Sequence, residues 1–325
     1  MYISEIKHLH IELTTKCNAR CPMCIRNVGG YPYNSGYPLT ELSLSDIREI
    51  LPESFLNQID TVIFNGNVGD FAVAKDASEV LEYISKNTNK VTIHTNASVR
   101  NTLWWGGLVH DNVDIYFALD GMEDTHSIHR IGTNFNKVLN NAKAFIDNGG
   151  IATWKMIEFH HNKHQIDECR EMAKLHNFRN FELVKDGGRN EAAVYNRNGE
   201  FAYNIGKTDS TPLTIEYQIE LINNDGDINN DFGLNKKSPI ECMVHLGNNQ
   251  IYIAGNGDVY PCCFIGMFPT TMTYPGNPQL KQIVNKINAL EYSLEESLEW
   301  FNDLYATWGT DNQAIGCLQN CSKQL

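Results

Sequence analysis

Cysteine placement carries most of the chemical information in this chain. Three of its nine cysteines lie together as Cys17, Cys21 and Cys24 in CNARCPMC, a C-x3-C-x2-C spacing. Five fall late: Cys242, the pair Cys262 and Cys263, and Cys317 with Cys321 in CLQNC. Cys169 stands apart and is expected in the core. Thiolates are soft ligands that suit zinc or an iron-sulfur cluster. Structural zinc takes four ligands, and the first loop offers three with no fourth partner at finger spacing. A cubane held by three cysteines leaves one iron open to bind something else, so the incompleteness is itself functional. For the late group, zinc held by four cysteines stands as the rival to a second cluster.

The rest of the chain is long enough to position two such sites. Its 325 residues suggest one large domain or two of ordinary size. With 26 Lys+Arg against 39 Asp+Glu the net charge is -13, which disfavours nucleic acid or an anionic membrane surface as partner. Hydrophobic residues at 42% and charged residues at 20% are ordinary globular values. No apolar run approaches the roughly 18 residues of a membrane span, and MYISEIKHLHIELTTKC lacks a basic stretch followed by an apolar one. The expectation is a cytoplasmic protein with reduced thiols, where metal or redox chemistry explains clustered cysteines better than disulfides do.

Between the two groups, short β-rich runs alternate with longer amphipathic segments, the signature of parallel βα units. The strand candidates are HLHIELT at 8–14, DTVIFNG at 60–66, KVTIHTN at 90–96, VDIYFALDG at 113–121, IATWKMIEF at 151–159 and NFELVK at 180–185. SLSDIREILPESFLN, AKDASEVLEYISKN, NFNKVLNNAKAFIDNGG and HQIDECREMAKLH read as helices, the first two with Ser or Asp near their starts as caps. A full eight-unit barrel needs about 250 residues. Six units over residues 1–190 predict an open partial (β/α)6 barrel, with its site at the C-terminal strand ends, where the first cysteines also fall. Residues 191–236, rich in Asn, Gly and Asp, read as a connector or substrate-facing lid, and a smaller α+β domain is expected over 237–325. His160, His161 and His164 in EFHHNKH read as a solvated loop.

The order of these segments resembles the radical S-adenosylmethionine (radical SAM) superfamily, whose C-x3-C-x2-C loop follows the first strand of a partial barrel. The resemblance implies that Cys17, Cys21 and Cys24 hold a [4Fe-4S] cluster and that SAM chelates its open iron. Reductive cleavage of SAM then yields a 5′-deoxyadenosyl radical that abstracts a substrate hydrogen. FNGNVGDF occupies the place of the family's GGEP-like turn and offers Asn67, Gly69 and Asp70 to SAM, with Asp for Glu and Phe71 for Pro. HTNAS adds Asn96. ALDGMEDTHSIHR resembles the family's S-x-DG...H-x3-R stretch through Asp120, Gly121, His126 and Arg130, with Ala118 in place of Ser. Arg130 would bind the SAM carboxylate. Met23 stands where an aromatic residue commonly precedes the last cysteine.

The late C-x14-G-x4-C spacing, with IYIAGNGDVYPCC as a hairpin, is similar to the opening of SPASM and twitch domains. Because the C-x2-C-x5-C-x3-C run of a full SPASM domain is absent, the resemblance implies one auxiliary [4Fe-4S] cluster on Cys242, Cys262, Cys317 and Cys321. Cys263 is the alternative to Cys262, since adjacent strand side chains point oppositely. The reaction implied is oxidation or other modification of a small molecule, with peptide or protein modification as the alternative, and with flavodoxin or ferredoxin as electron donor. No catalytic acid or base is assigned. Lys155, Glu158 and Arg189 fall at strand ends where substrate or SAM contacts belong.

Overall fold

The computed structural model describes residues 1–32, 38–185, 192–206, 214–216, 219, 238–267, 280 and 283–322. Strand β1 (His8–Ile11) is followed by the cysteine loop, which contains a small antiparallel ribbon of β2 (Asn27–Val28) and β3 (Tyr31–Pro32). Five more strands then join β1 in parallel: β4 (Thr61–Phe64), β5 (Lys90–Thr95), β6 (Val113–Ala118), β7 (Ile151–Glu158) and β8 (Asn180–Lys185). The six-unit partial barrel expected from the alternation is therefore present, each strand lying beside the next in chain order.

Period-two alternation decides which side of the sheet meets the helices. Leu9, Ile11, Val62, Phe64, Val91, Ile93, Ile115, Phe117, Trp154 and Met156 share one face and are buried in a single core. The other face is polar and lines the concave side of the barrel. There His94 stacks on Tyr116 at 4.6 Å between ring centroids. Lys155 Nζ lies 3.3 Å from His94 Nδ1 and 3.2 Å from Glu182 Oε1. Burial, and then the Lys155 ammonium, push the His94 imidazole down to about 3, so it stays neutral.

The helices follow the sequence closely. Ser43 caps Leu44–Ile50 in a capping box with Asp46, and Pro52 divides the first helical segment by starting a second, Glu53–Leu56. Asp76 sits at the N-cap of Ala77–Asn87 without capping it; its carboxylate accepts the Leu44 N–H at 3.1 Å and ties the two helices together. Phe135–Asp147 and Ile166–Leu175 cover β6 and β7, and Cys169 is fully buried, as expected. Of the 191–236 segment, β9 (Ala192–Tyr195) and β10 (Phe201–Ile205) form an antiparallel ribbon, and most of the remainder lies outside the described residues, as does Arg189.

The late hairpin forms where expected, as β11 (Gln250–Ile253) and β12 (Val259–Tyr260), with Gly257 at φ 90° in its turn. Its position is what the sequence does not disclose. β11 pairs in parallel with β1, His8 opposite Gln250 through Ile11 opposite Ile253, extending the sheet to eight strands in the order β12-β11-β1-β4-β5-β6-β7-β8. Tyr252, Tyr260, Trp300 and Phe301 pack into the barrel's own core. The free edge of β1 is thereby covered. Among the described residues no helix is long and apolar enough to cross a membrane.

Tyr252 is the polar anchor of this junction: its hydroxyl donates to Glu12 Oε2 at 2.7 Å. Tyr252→Phe leaves that buried oxygen without its donor and is expected to destabilise the chain by about 1–3 kcal/mol, read as a lower urea midpoint at unchanged slope.

Candidate functional site

Five loops meet beyond the C-terminal ends of β1, β4, β5, β6 and β7, and they bring together all three early cysteines. The cysteine loop turns tightly, with the Cys24 N–H donating to the Cys21 carbonyl at 3.0 Å. Arg26 clamps it from below: its Nη1 donates to the carbonyls of Cys17 at 3.4 Å and Val68 at 3.3 Å. Cys17 Sγ accepts from the Ala19 N–H at 3.4 Å and from Asn96 Nδ2 at 3.5 Å. Cys21 accepts from the Arg130 guanidinium. Burial pushes the Cys17 thiol up to about 12, with Asp70 adding to the shift. Cys21 is raised to about 11 by burial against the pull of Arg130, and Cys24 is raised as well. Ligation must therefore displace protons from buried thiols.

The donor set fits an iron-sulfur cluster. All three ligands are soft sulfurs, and two of them already receive side-chain N–H donors of the kind that tune such clusters. Among the described residues no three His, Cys, Asp or Glu side chains converge on one ion-sized point.

The turn after β4 is held by a residue that motif reading misses. Glu12, just past β1, accepts the Val68 and Gly69 N–H groups on Oε1, both at 2.8 Å, while Oε2 takes Tyr252. Burial raises its carboxyl above the ordinary range against these bonds. Its sequence signal is the alternation His8, His10, Glu12 along β1, which sets a charge on the concave face. Gly69 is required by contact: a Cβ there would lie 1.6 Å from the Thr14 carbonyl oxygen.

The residues expected to touch SAM divide into two sets. Asp70 is committed to the protein: Oδ1 accepts from Thr95 Oγ1 at 2.8 Å and the Ala72 N–H at 3.1 Å, and Oδ2 from the Asn96 N–H at 2.7 Å. Asn67 Nδ2 donates to the Cys263 carbonyl at 2.9 Å, bridging the turn to the late segment. These two therefore shape the site; Gly69 lines it through its backbone, and Asn96 reaches the cysteine sulfur. Asp120 and Arg130 form a buried pair, Arg130 Nε to Asp120 Oδ2 at 2.6 Å. His129 Nδ1 lies 2.9 Å from the same oxygen, and Asp120 Oδ1 accepts the Ile157 N–H at 2.8 Å. Burial alone would raise Asp120; Arg130, His129 and Ile157 together outweigh it and hold the carboxyl well below the usual range. The conformation needs Gly121, at φ 110°, whose Cβ would otherwise strike Thr125 Oγ1. His161, expected in solvent, stacks on Phe159 at 5.3 Å, and burial holds it down to about 4.

The late cysteines gather around a second place. Cys242, Cys262, Cys317 and Cys321 line one small pocket with Phe264, Tyr305 and Trp308. Cys263 does not line it and instead lies near Glu12; the two adjacent cysteines part at the start of the short helix Cys263–Gly266, whose N-cap is Cys262, and not on a strand as the sequence suggested. The Cys321 thiol donates to Cys242, and the Val244 and His245 amides help hold Cys242 below its ordinary value while Cys321 is raised.

The chain thus places C-x3-C-x2-C after the first strand of a parallel partial barrel and a cysteine-lined pocket later in the chain, and the resemblance read from the sequence is borne out at the level of the fold. The chain is 23% identical over 268 residues to the antilisterial bacteriocin subtilosin biosynthesis protein AlbA of Bacillus subtilis (strain 168), a match covering 81% of this chain and 55% of that protein. The chain thus spans about half the length of this curated relative. Its fold is shared with Streptococcus suis SuiB bound to S-adenosylmethionine, at TM-score 0.57 and 16% identity, covering 93% of this chain and 65% of that one. It is shared also with native anSMEcpe with bound AdoMet, at TM-score 0.53 and 14% identity, covering 90% and 80%. No family model matches the sequence.

Asp120→Asn removes the charge that compensates buried Arg130 and is expected to cost about 3–5 kcal/mol at pH 7 by urea unfolding. Since the folded-state pKa lies below the unfolded one, the carboxylate's stabilisation is fully present above about pH 4 and lost as pH falls through the folded value. The gap between wild type and variant should accordingly close only below pH 4.

Proposed function

We propose that the chain is a radical SAM enzyme that modifies a peptide. The observation that carries this reading is the convergence at one barrel mouth of three sulfurs, two of them receiving N–H donors from Asn96 and Arg130, beside a turn whose backbone is fixed by Glu12. When bound there, a [4Fe-4S] cluster supplies the electron that splits SAM into methionine and a 5′-deoxyadenosyl radical. The chain's own residues prepare the place. Arg130, anchored through Nε on Asp120, keeps a guanidinium beside Cys21 and is suited to the methionine carboxylate of SAM. The backbone between Gly66 and Gly69 is suited to the amino end. Asp70 and Asn67 act one step removed, by fixing that backbone.

The late pocket supports a second, closed site for an auxiliary [4Fe-4S] cluster on Cys242, Cys262, Cys317 and Cys321, positioned to accept an electron from the substrate radical or to help hold the substrate. An external one-electron donor such as flavodoxin or ferredoxin completes the cycle. The concave polar face of His94, Tyr116, Lys155 and Glu182 is the surface that substrate would meet.

The sequence alone tilts toward a small molecule. The comparisons favour the peptide reading: AlbA acts in the biosynthesis of a bacteriocin, and SuiB shares this fold in a structure bound to the precursor peptide SuiA, at TM-score 0.57 and 17% identity.

The test is anaerobic reconstitution with iron and sulfide analysis and a 5′-deoxyadenosine assay on the same sample. Two clusters per chain and SAM cleavage are expected. Cys24→Ala should abolish 5′-deoxyadenosine and keep about half of the iron. Cleavage that persists in the variant would contradict the assignment, and absence of cleavage by the strongly reduced wild type would make the chain a binding or electron-transfer module.

A further inference from the structure

The wall of the late pocket contains two buried hydrogen-bond donors aimed at its sulfurs. Tyr305 Oη and Trp308 Nε1 are both inaccessible to solvent; neither reaches an acceptor with good hydrogen-bond geometry among the described residues, and the acceptor beside Trp308 is the Cys317 sulfur itself. Leaving a buried donor unpaired is costly, so two in one wall call for a stronger acceptor than the protein itself supplies. Both side chains line the pocket that Cys242, Cys262, Cys317 and Cys321 share.

Their placement is fixed rather than incidental. Tyr305 and Trp308 follow each other at i and i+3 at the end of the helix Trp300–Ala306 and pack ring on ring at 4.8 Å. His245, three residues after Cys242, closes the group, with its ring 4.6 Å from Tyr305 and 5.3 Å from Trp308. Cys242, Cys262 and Cys317 all lie near enough to the Tyr305 hydroxyl to raise it further after burial has done so. The Trp308 indole faces the Cys317 sulfur and eases its thiol downward, although burial still leaves it at about 12.

We infer that Tyr305 and Trp308 donate hydrogen bonds to the sulfur atoms of the auxiliary cluster and raise its reduction potential. This rests on the auxiliary-cluster reading above. The physical reason is charge: reduction adds an electron to the cluster and its sulfurs, and N–H and O–H donors aimed at them stabilise the more negative state. Tyr305 and Trp308 are tuning residues that touch the cofactor; they take no proton from substrate. The inference gives the apolar, nearly closed pocket a task beyond ligation, since a cluster that accepts an electron from a substrate radical must be easier to reduce than the one that splits SAM.

The experiment is redox-poised EPR of the reconstituted holoenzyme, comparing wild type with Tyr305→Phe, which keeps the ring and removes only the hydroxyl, and with Trp308→Phe, which removes the N–H together with part of the indole. In each variant the reduction equilibrium of the auxiliary cluster should fall by up to about tenfold, a shift of up to about 59 mV to lower potential for a one-electron couple, while the Cys17/Cys21/Cys24 cluster stays where it was. Unchanged potentials in both variants, with two clusters retained, would overturn this inference alone. Zinc in place of iron at the late site would overturn it together with the reading on which it rests. Pulsed EPR in D2O against H2O adds a second readout: exchangeable-proton couplings to the reduced auxiliary cluster are expected to be stronger in wild type than in Tyr305→Phe, and identical couplings in the two would overturn the inference.

Discussion

The carboxylate of Glu12 is the constraint on which the rest of the site depends. One oxygen takes two backbone amides of the turn after β4; the other takes a tyrosine hydroxyl from a strand 240 residues later in the chain. A single buried group thus sets the turn beside the cysteine loop and also ties the late hairpin against β1. Removing it from water is costly, as its raised pKa records, and three donors together make the burial tolerable. The Asn67 side chain on the Cys263 carbonyl repeats the link a few residues away. The two cysteine groups are therefore linked by side-chain hydrogen bonds through the edge of the barrel.

A second buried carboxylate organises the opposite side of the mouth. Asp120 orients Arg130 and His129 and receives the end of β7 through Ile157, so the ends of β6 and β7 share one ionic network. Glu12 and Asp120 differ in sign of effect. Glu12 is served by neutral donors, and burial wins; Asp120 faces a guanidinium, and attraction wins. The result is a mouth that keeps a cation next to Cys21 while its other polar groups are spent on holding the backbone.

Much of this architecture is legible in the amino-acid sequence. Period-two runs and amphipathic segments mark out six βα units, and cysteine spacing marks the two groups that the fold gathers at the barrel mouth and in the late pocket. Aspects of the site that depend on partners distant in sequence are not legible there. Asp70 and Asn67 sit where a motif places cofactor contacts, but which atoms their side chains meet depends on Thr95, Asn96 and Cys263 folding against them. Glu12 belongs to no spacing pattern that includes cysteine. The pairing of β11 with β1 joins two edges that no local propensity connects, and that Cys262 but not Cys263 lines the late pocket depends on a helix start just beyond β12. Tyr305 and Trp308 look like ordinary core aromatics until their buried donors are found beside the late sulfurs.

The central claim is that the early cluster presents an open iron toward the 66–69 turn and that the late cluster is closed. Pulsed EPR of the reduced holoenzyme with SAM carrying 15N at its amino group tests it most directly. Hyperfine coupling of the labelled nitrogen to one cluster is expected, and it should survive Cys317→Ser. No coupling, or coupling that vanishes with Cys317→Ser, would contradict the assignment of the two sites.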